Sequence, residues 1–131
     1  MNFRLGYPRL LVANFKACFQ FYRDVMGFDI VWVNEEGEAA EFDTGDMKLG
    51  LFKRQEMAEI VGSSKKPVSA ECQDQVALIF TVHDLGQAYQ QLKDKGATFV
   101  TQPMNRPEWE IRTAYLRDPD GILIGLYEIS V

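Results

Sequence analysis

The chain has 131 residues, 47% of them hydrophobic and 25% charged, which is enough for one globular domain with a buried core. Its formal charge of −5 argues against nucleic acid, whose binders present a basic face. No run of about 20 apolar residues predicts a transmembrane helix.

The N-terminus shows no charged stretch followed by an apolar one, so no signal peptide is expected. Cys18 falls on a predicted helix and Cys72 in a polar linker. Two such cysteines fit reduced thiols in a cytoplasmic protein.

In chain order, a short apolar strand is expected near 8–13. A helix follows, with Phe15, Cys18, Phe19, Tyr22, Val25 and Met26 at i, i+3, i+4, i+7 spacing. Asn14 is placed to cap its start and Gly27 to end it in the left-handed region. Three strands come next, near 28–34, 38–43 and 47–53. The stretch "RQEMAEIVGSSKKPVSAECQDQ" opens as a helical turn and becomes a linker from Gly62.

The second half repeats the plan. "LIFTVHDLGQAYQQLKDKGA" lies over "RLLVANFKACFQFYRDVMGF", with Val82 on Val12 and Asp84 on Asn14. A strand near 76–82 leads to a helix carrying Leu85, Ala88, Tyr89 and Leu92 on one stripe. Asp84 with Gln87 resembles a capping box, and Gly96 ends the helix. Strands follow near 98–101, 109–117 and 122–129. The predicted class is α+β: two βαβββ modules, 1–54 and 75–131, joined by a linker over 55–74 in one domain.

"DPDG" predicts a tight hairpin. Pro119 presets a type I turn and Gly121 supplies the left-handed residue of a G1 bulge. Asp118 then pairs with Ile122, Tyr115 with Gly125, and Thr113 with Tyr127. Gly50 and Gly125 stand in the last strand of each module, where glycine is a weak choice.

The motifs "LLVANFKACFQFYRDVMGF", "VHDLGQAYQQLKDKGA" and "LRDPDGILIGLYE", in this order, resemble the vicinal oxygen chelate superfamily. That family includes glyoxalase I, bleomycin-resistance proteins and extradiol dioxygenases. The resemblance implies a cup-shaped mixed sheet, helices outside, a ligand site inside, and a homodimer.

Strand parity separates two faces. Leu10, Val12, Leu49, Leu51, Leu78, Phe80, Val82, Ile124 and Leu126 share the helix side. Tyr7, Arg9, Leu11, Lys48, Gly50, Phe52, Ala77, Ile79, Thr81, Leu123, Gly125 and Tyr127 share the other, which is mixed in size and polarity as a binding face is. The hairpin register adds Thr113 and Tyr115. If Phe42 shares the helix side with Leu49, Gly45-Asp46 is a two-residue turn and Glu41 joins the binding face, with Trp32 in reach.

Metal-dependent members carry four ligands, usually His and Glu, on the first and last strands of each module. The resemblance carries those positions onto Tyr7, Gly50, Ala77 and Gly125. A phenol, two glycines and a methyl group make a poor donor set for a divalent ion, so the metal site reads as lost and no cofactor is expected. His83, the single histidine, is expected at the surface.

The leading expectation is metal-independent binding of a small organic ligand, with no nucleic-acid or membrane partner. Trp32, Phe52, Trp109, Tyr115 and Tyr127 are stacking candidates, Arg9 an anion or carbonyl partner, and Glu41 a cation partner. Tyr7, Lys48, Thr81 and Thr113 complete the set. The alternatives are a metal-dependent lyase or dioxygenase of the glyoxalase kind, and a non-catalytic interaction domain.

Overall fold

The computed structural model describes residues 5–62, 65, 74, 76–107 and 110–128. The chain divides into two compact units, Met1–Glu71 and Cys72–Val131. Cys72 and Trp109 lie outside the described residues.

The first unit runs β1 (Arg9–Val12), α1 (Phe15–Gln20), a π-helical turn (Phe21–Val25), β2 (Asp29–Asn34), β3 (Ala39–Asp43), β4 (Lys48–Lys53) and α2 (Arg54–Val61). Its sheet order is β1-β4-β3-β2. β1 runs parallel to β4 and the other pairs are antiparallel. The Asn14 side chain accepts from the Ala17 N–H at 3.1 Å, which satisfies one of the donors a helix start leaves open.

The helix does not keep its 3.6-residue period. Met26 N–H donates to Phe21 O at 3.0 Å, a step of five residues. The wider turn swings Phe21 inward beside Tyr22, edge to face at 5.1 Å. Phe21 is therefore buried although it stands off the predicted stripe, while Val25 and Met26, which stand on it, are only half-buried. Tyr22, fully buried, packs on Phe42 of β3, and Phe19 lies 5.5 Å from the same ring. Leu10, Val12, Leu49 and Leu51 complete this core beneath the helix. Burial of each such side chain contributes about 1.5–3 kcal/mol.

β2 is the edge of this sheet and is exposed along its length. Its register with β3 slips between Ile30 and Trp32, leaving Val31 as an extra residue. A bulge of this kind twists an edge strand away from flat pairing with another chain.

The second unit runs β5 (Ala77–Val82), α3 (Leu85–Asp94), β6 (Thr98–Phe99), β7 (Met104–Arg106), β8 (Ile111–Arg117) and β9 (Leu123–Glu128). The sheet order is β5-β9-β8-β6, with β7 also on β8. The plan of the first unit recurs: first strand parallel to last, and the remaining pairs antiparallel. Asp84 caps α3 through the Gln87 N–H at 3.0 Å, and Gly96 follows it at φ +94°.

Four details differ from expectation. The strand over 98–101 is shorter, and β7 is added. Val100 and Thr101 N–H both donate to Tyr115 O, and Pro103 has no N–H to continue the ladder. β8 starts at Ile111, because Glu110 turns at φ +58°. Leu78, Phe80 and Val82 are half-buried on the helix side, since β5 is a sheet edge with a neighbour on one flank.

The hairpin registers are as expected: Tyr115 faces Gly125, Thr113 faces Tyr127, and Asp118 N–H donates to Ile122 O at 3.0 Å. Phe42 faces Leu49 and Glu41 faces Gly50. Thr44 N–H donates to Met47 O, closing the Gly45-Asp46 turn. His83 is exposed. No helix among the described residues is long and apolar enough to cross a membrane.

Candidate functional site

The candidate residues fall into two sets, one on each unit. On the first, strand pairing lines up Arg9, Gly50, Glu41 and Trp32 across four strands. Arg9 Nη2 donates to the Tyr7 hydroxyl at 2.6 Å. The Arg9 guanidinium also lies 5.5 Å from the Tyr7 ring and 5.0 Å from the Phe52 ring, within cation–π range. Two aromatic neighbours hold a long, mobile side chain in one place. Glu41 pairs loosely with Lys48, Nζ to Oε2 at 3.9 Å. Trp32 is 43% exposed.

On the second unit the corresponding row is Ile79, Gly125 and Tyr115, with Tyr127 beside it. The Tyr115 and Tyr127 rings meet edge to face at 6.1 Å, and their hydroxyl oxygens lie 2.6 Å apart. Burial, and then the hydrogen bond to Tyr127, push the Tyr115 phenol up to about 12. Tyr115 is thus a proton donor across the ordinary pH range.

These rings form one side of a concavity of about 410 Å³, a small-ligand volume. Ala77, Ile79, Val100 and Leu123 supply apolar wall. Arg117 closes one end, bound to Asp74 by two hydrogen bonds of 2.9 Å and to Gly121 O. That guanidinium holds the Asp74 carboxyl below its ordinary range.

Parity alone would have found Arg117, two residues beyond Tyr115. Asp74 and Thr101 come from irregular segments and carry no such signal. Among the expected residues, Thr113 is a correction. It is fully buried, and Arg106 Nε donates to its hydroxyl at 3.2 Å, so this strand position is covered by a neighbouring side chain. Thr81 is exposed and does not line the concavity.

A recess of about 440 Å³ lies elsewhere on this unit, between Asn105, Arg106, Arg112 and Glu128. Its charges are engaged in the fold: Glu128 accepts from the Leu85 N–H at 2.9 Å and faces Arg112 at 3.8 Å. The concavity over Gly125 is slightly smaller, and it is the one that brings the two tyrosines together with an apolar wall.

The two glycines do not mark empty space. A Cβ on Gly50 would come within 3.0 Å of Tyr7 Cε2. One on Gly125 would meet Ile79 Cδ1 at 2.8 Å, Tyr115 Cε1 at 3.0 Å and Tyr127 Cε1 at 3.1 Å. Each glycine is a floor on which other side chains rest.

The four ligand positions do not fit a divalent ion. Gly50, Gly125 and Ala77 bring no donor side chain, and the Tyr7 phenol is held by a guanidinium. Among the described residues no three His, Cys, Asp or Glu side chains gather as a metal site.

Paired βαβββ units, each with its first strand parallel to its last, define a glyoxalase-type α+β protein. The chain belongs to the Glyoxalase/Bleomycin resistance protein/Dioxygenase superfamily, whose profile matches residues 4–126. It is 43% identical over 121 residues to "Uncharacterized protein YraH" of Bacillus subtilis, covering 92% of this chain and 94% of that one. It is 28% identical over 125 residues to "Virulence protein STM3117" of Salmonella typhimurium, covering 94% and 82%. A glyoxalase/bleomycin resistance protein/dioxygenase structure from Nocardioides superposes with a TM-score of 0.79 at 20% identity, covering 98% and 85%. That last likeness shows the fold.

Proposed function

We propose that this chain is a small-molecule-binding member of its superfamily that works without the family's metal. The ligand is a compact, partly aromatic organic molecule, taken against the sheet face of the second unit. One observation carries the reading: Tyr115 and Tyr127 occupy the space over Gly125, where a metal-binding carboxylate is expected, and line a 410 Å³ concavity with apolar walls. Apolar walls with a few fixed polar groups are the usual make-up of such sites.

A panel of drug-like and metabolite compounds, screened by NMR, tests it. Binders are expected to perturb Ile79, Tyr115 and Tyr127, and Ala77→Trp, which fills the concavity, is expected to remove binding. Binding that needs an added divalent ion, or that leaves those residues unperturbed, would overturn the reading. The proposal extends to a homodimer. Sedimentation of a species at the chain mass of 15.0 kDa would remove that part.

A further inference from the structure

We infer that the Tyr115–Tyr127 hydroxyl pair is the polar anchor of this site and selects ligands that present a single strong oxygen acceptor, a phenolate or an enolate, on a flat ring. The inference rests on the reading of the concavity as the ligand site and specifies the ligand's chemistry.

The pair is held before any ligand arrives. Both rings rest on Gly125, each within 3.1 Å of where a Cβ would stand, and they meet at an interplanar angle of 86°. This brings the oxygens together at 2.6 Å, and either can be the donor. When Tyr127 donates across that contact, the Tyr115 hydrogen is turned to a third group. A chain of two hydroxyls feeding one acceptor strengthens each bond in it. Donors fixed in place lose little entropy on binding.

The neighbours decide which acceptor fits. A carboxylate or phosphate is best met by the two-pronged guanidinium of arginine. The arginine in this concavity, Arg117, already spends its fork on Asp74 and Gly121 O. What is left to donate is O–H, which suits one oxygen atom. Ala77, Ile79, Val100 and Leu123 provide the apolar surface for a ring attached to that oxygen. Burial holds the Tyr115 phenol at about 12, so it stays protonated where most phenols and enols have ionised; the charge of Arg106 acts in the opposite direction and favours negative charge nearby.

The test uses the full chain and 4-nitrophenolate at about pH 9, above the probe's ionisation and below that of Tyr115. Water already donates to the phenolate, so apolar walls alone move its visible band to longer wavelength, and donation from the hydroxyl pair holds the band near its position in water. Saturable binding, followed by NMR, is expected with millimolar or better affinity, the bound band lying near its position in water. Tyr115→Phe and Tyr127→Phe should each move the bound band to longer wavelength and weaken binding by about 10-fold or more, the size of one hydrogen bond to a charged group. Two separate variants guard against either one failing to fold. Nitrobenzene, which lacks the phenolate, should bind more weakly and respond little to either substitution.

If the bound band is the same in the parent and both variants, or both variants bind as tightly as the parent, the anchor is overturned and the concavity remains a ligand site. If neither probe binds, the anchor and the ligand-site reading both fall.

Discussion

Gly125 and Tyr115 face each other across β9 and β8, and the ring lies so close that a Cβ on Gly125 would be 3.0 Å from Cε1. Gly50 and Tyr7 stand in a similar relation, again at 3.0 Å. The two contacts differ in what can yield. At Gly125 three side chains crowd the position, two of them rings tied by their hydroxyls. At Gly50 the crowding atom belongs to one ring, on a residue that precedes β1. Gly125→Ala is therefore expected to cost about 1–3 kcal/mol through overpacking. Gly50→Ala is expected to stay within about 0.5 kcal/mol, since the better strand propensity of alanine offsets a small ring shift. Urea denaturation of the two variants gives the ranking, and equal costs would contradict this account.

The Tyr115 phenol links stability to alkaline pH. Its value in the folded protein, about 12, is above the ordinary 10.0. The unfolded chain therefore loses this proton first as pH rises. A group raised on folding favours the unfolded state once pH passes the unfolded value, so its contribution is intact below pH 10.0 and is lost between there and about 12. Chemical denaturation across that window should show stability falling, and Tyr115→Phe should flatten the fall. An ultraviolet titration should show one tyrosine ionising late, and Tyr127→Phe should move it earlier.

Much of this was legible in the residues, for identifiable reasons. Asp-Pro-Asp-Gly has few conformations open to it, so it fixed the β8–β9 register and with it the pairing of Tyr115 with Gly125. The same parity reaches Arg117, which was not among the expected residues. The π-helical turn was not legible, because a periodicity argument assumes the period that this turn breaks. Nor was the filling of the two glycine sites: a missing side chain announces space, but not which neighbour takes it. Thr113 has the right parity and the wrong fate, because its cover comes from β7, a strand with no clear pattern in "MNR". What the alternation of a strand reports is direction, and access depends on the next layer.

The β8–β9 turn is held by a buried carboxylate. Asp118 is 4% exposed, and its Oδ1 accepts from the N–H groups of Asp120 at 2.8 Å and Ile122 at 2.9 Å. Asp118→Ala leaves both donors without that acceptor in a tight turn, an expected cost of about 1–3 kcal/mol. Asp118→Asn keeps an oxygen in the same place and should recover a large part of it. Because this turn sets the register under Tyr115, Asp118→Ala should also broaden the Tyr115 and Tyr127 NMR signals. A full loss with Asn as well would mean that the charge, and not the geometry, holds the turn.

Glu38 and Glu110 are the two described non-glycine residues at positive φ, +53° and +58°. The left-handed region costs an L-residue with a Cβ about 1 kcal/mol or more, and glycine enters it freely. Glu38→Gly gives up an exposed pair with Lys53 at 3.2 Å, which is worth little in water. The greater backbone entropy of glycine in the unfolded chain opposes the relief of strain. The balance at this turn is a gain of about 0.5 kcal/mol for Glu38→Gly. The same substitution at Glu110 should give a similar gain, because the residue plays the same part in the turn before β8. Thermal and urea midpoints check both. The control is Glu38→Ala, which removes the ion pair and keeps the Cβ. If Glu38→Ala stabilises as much as Glu38→Gly, charge and not backbone strain is what the native residue costs.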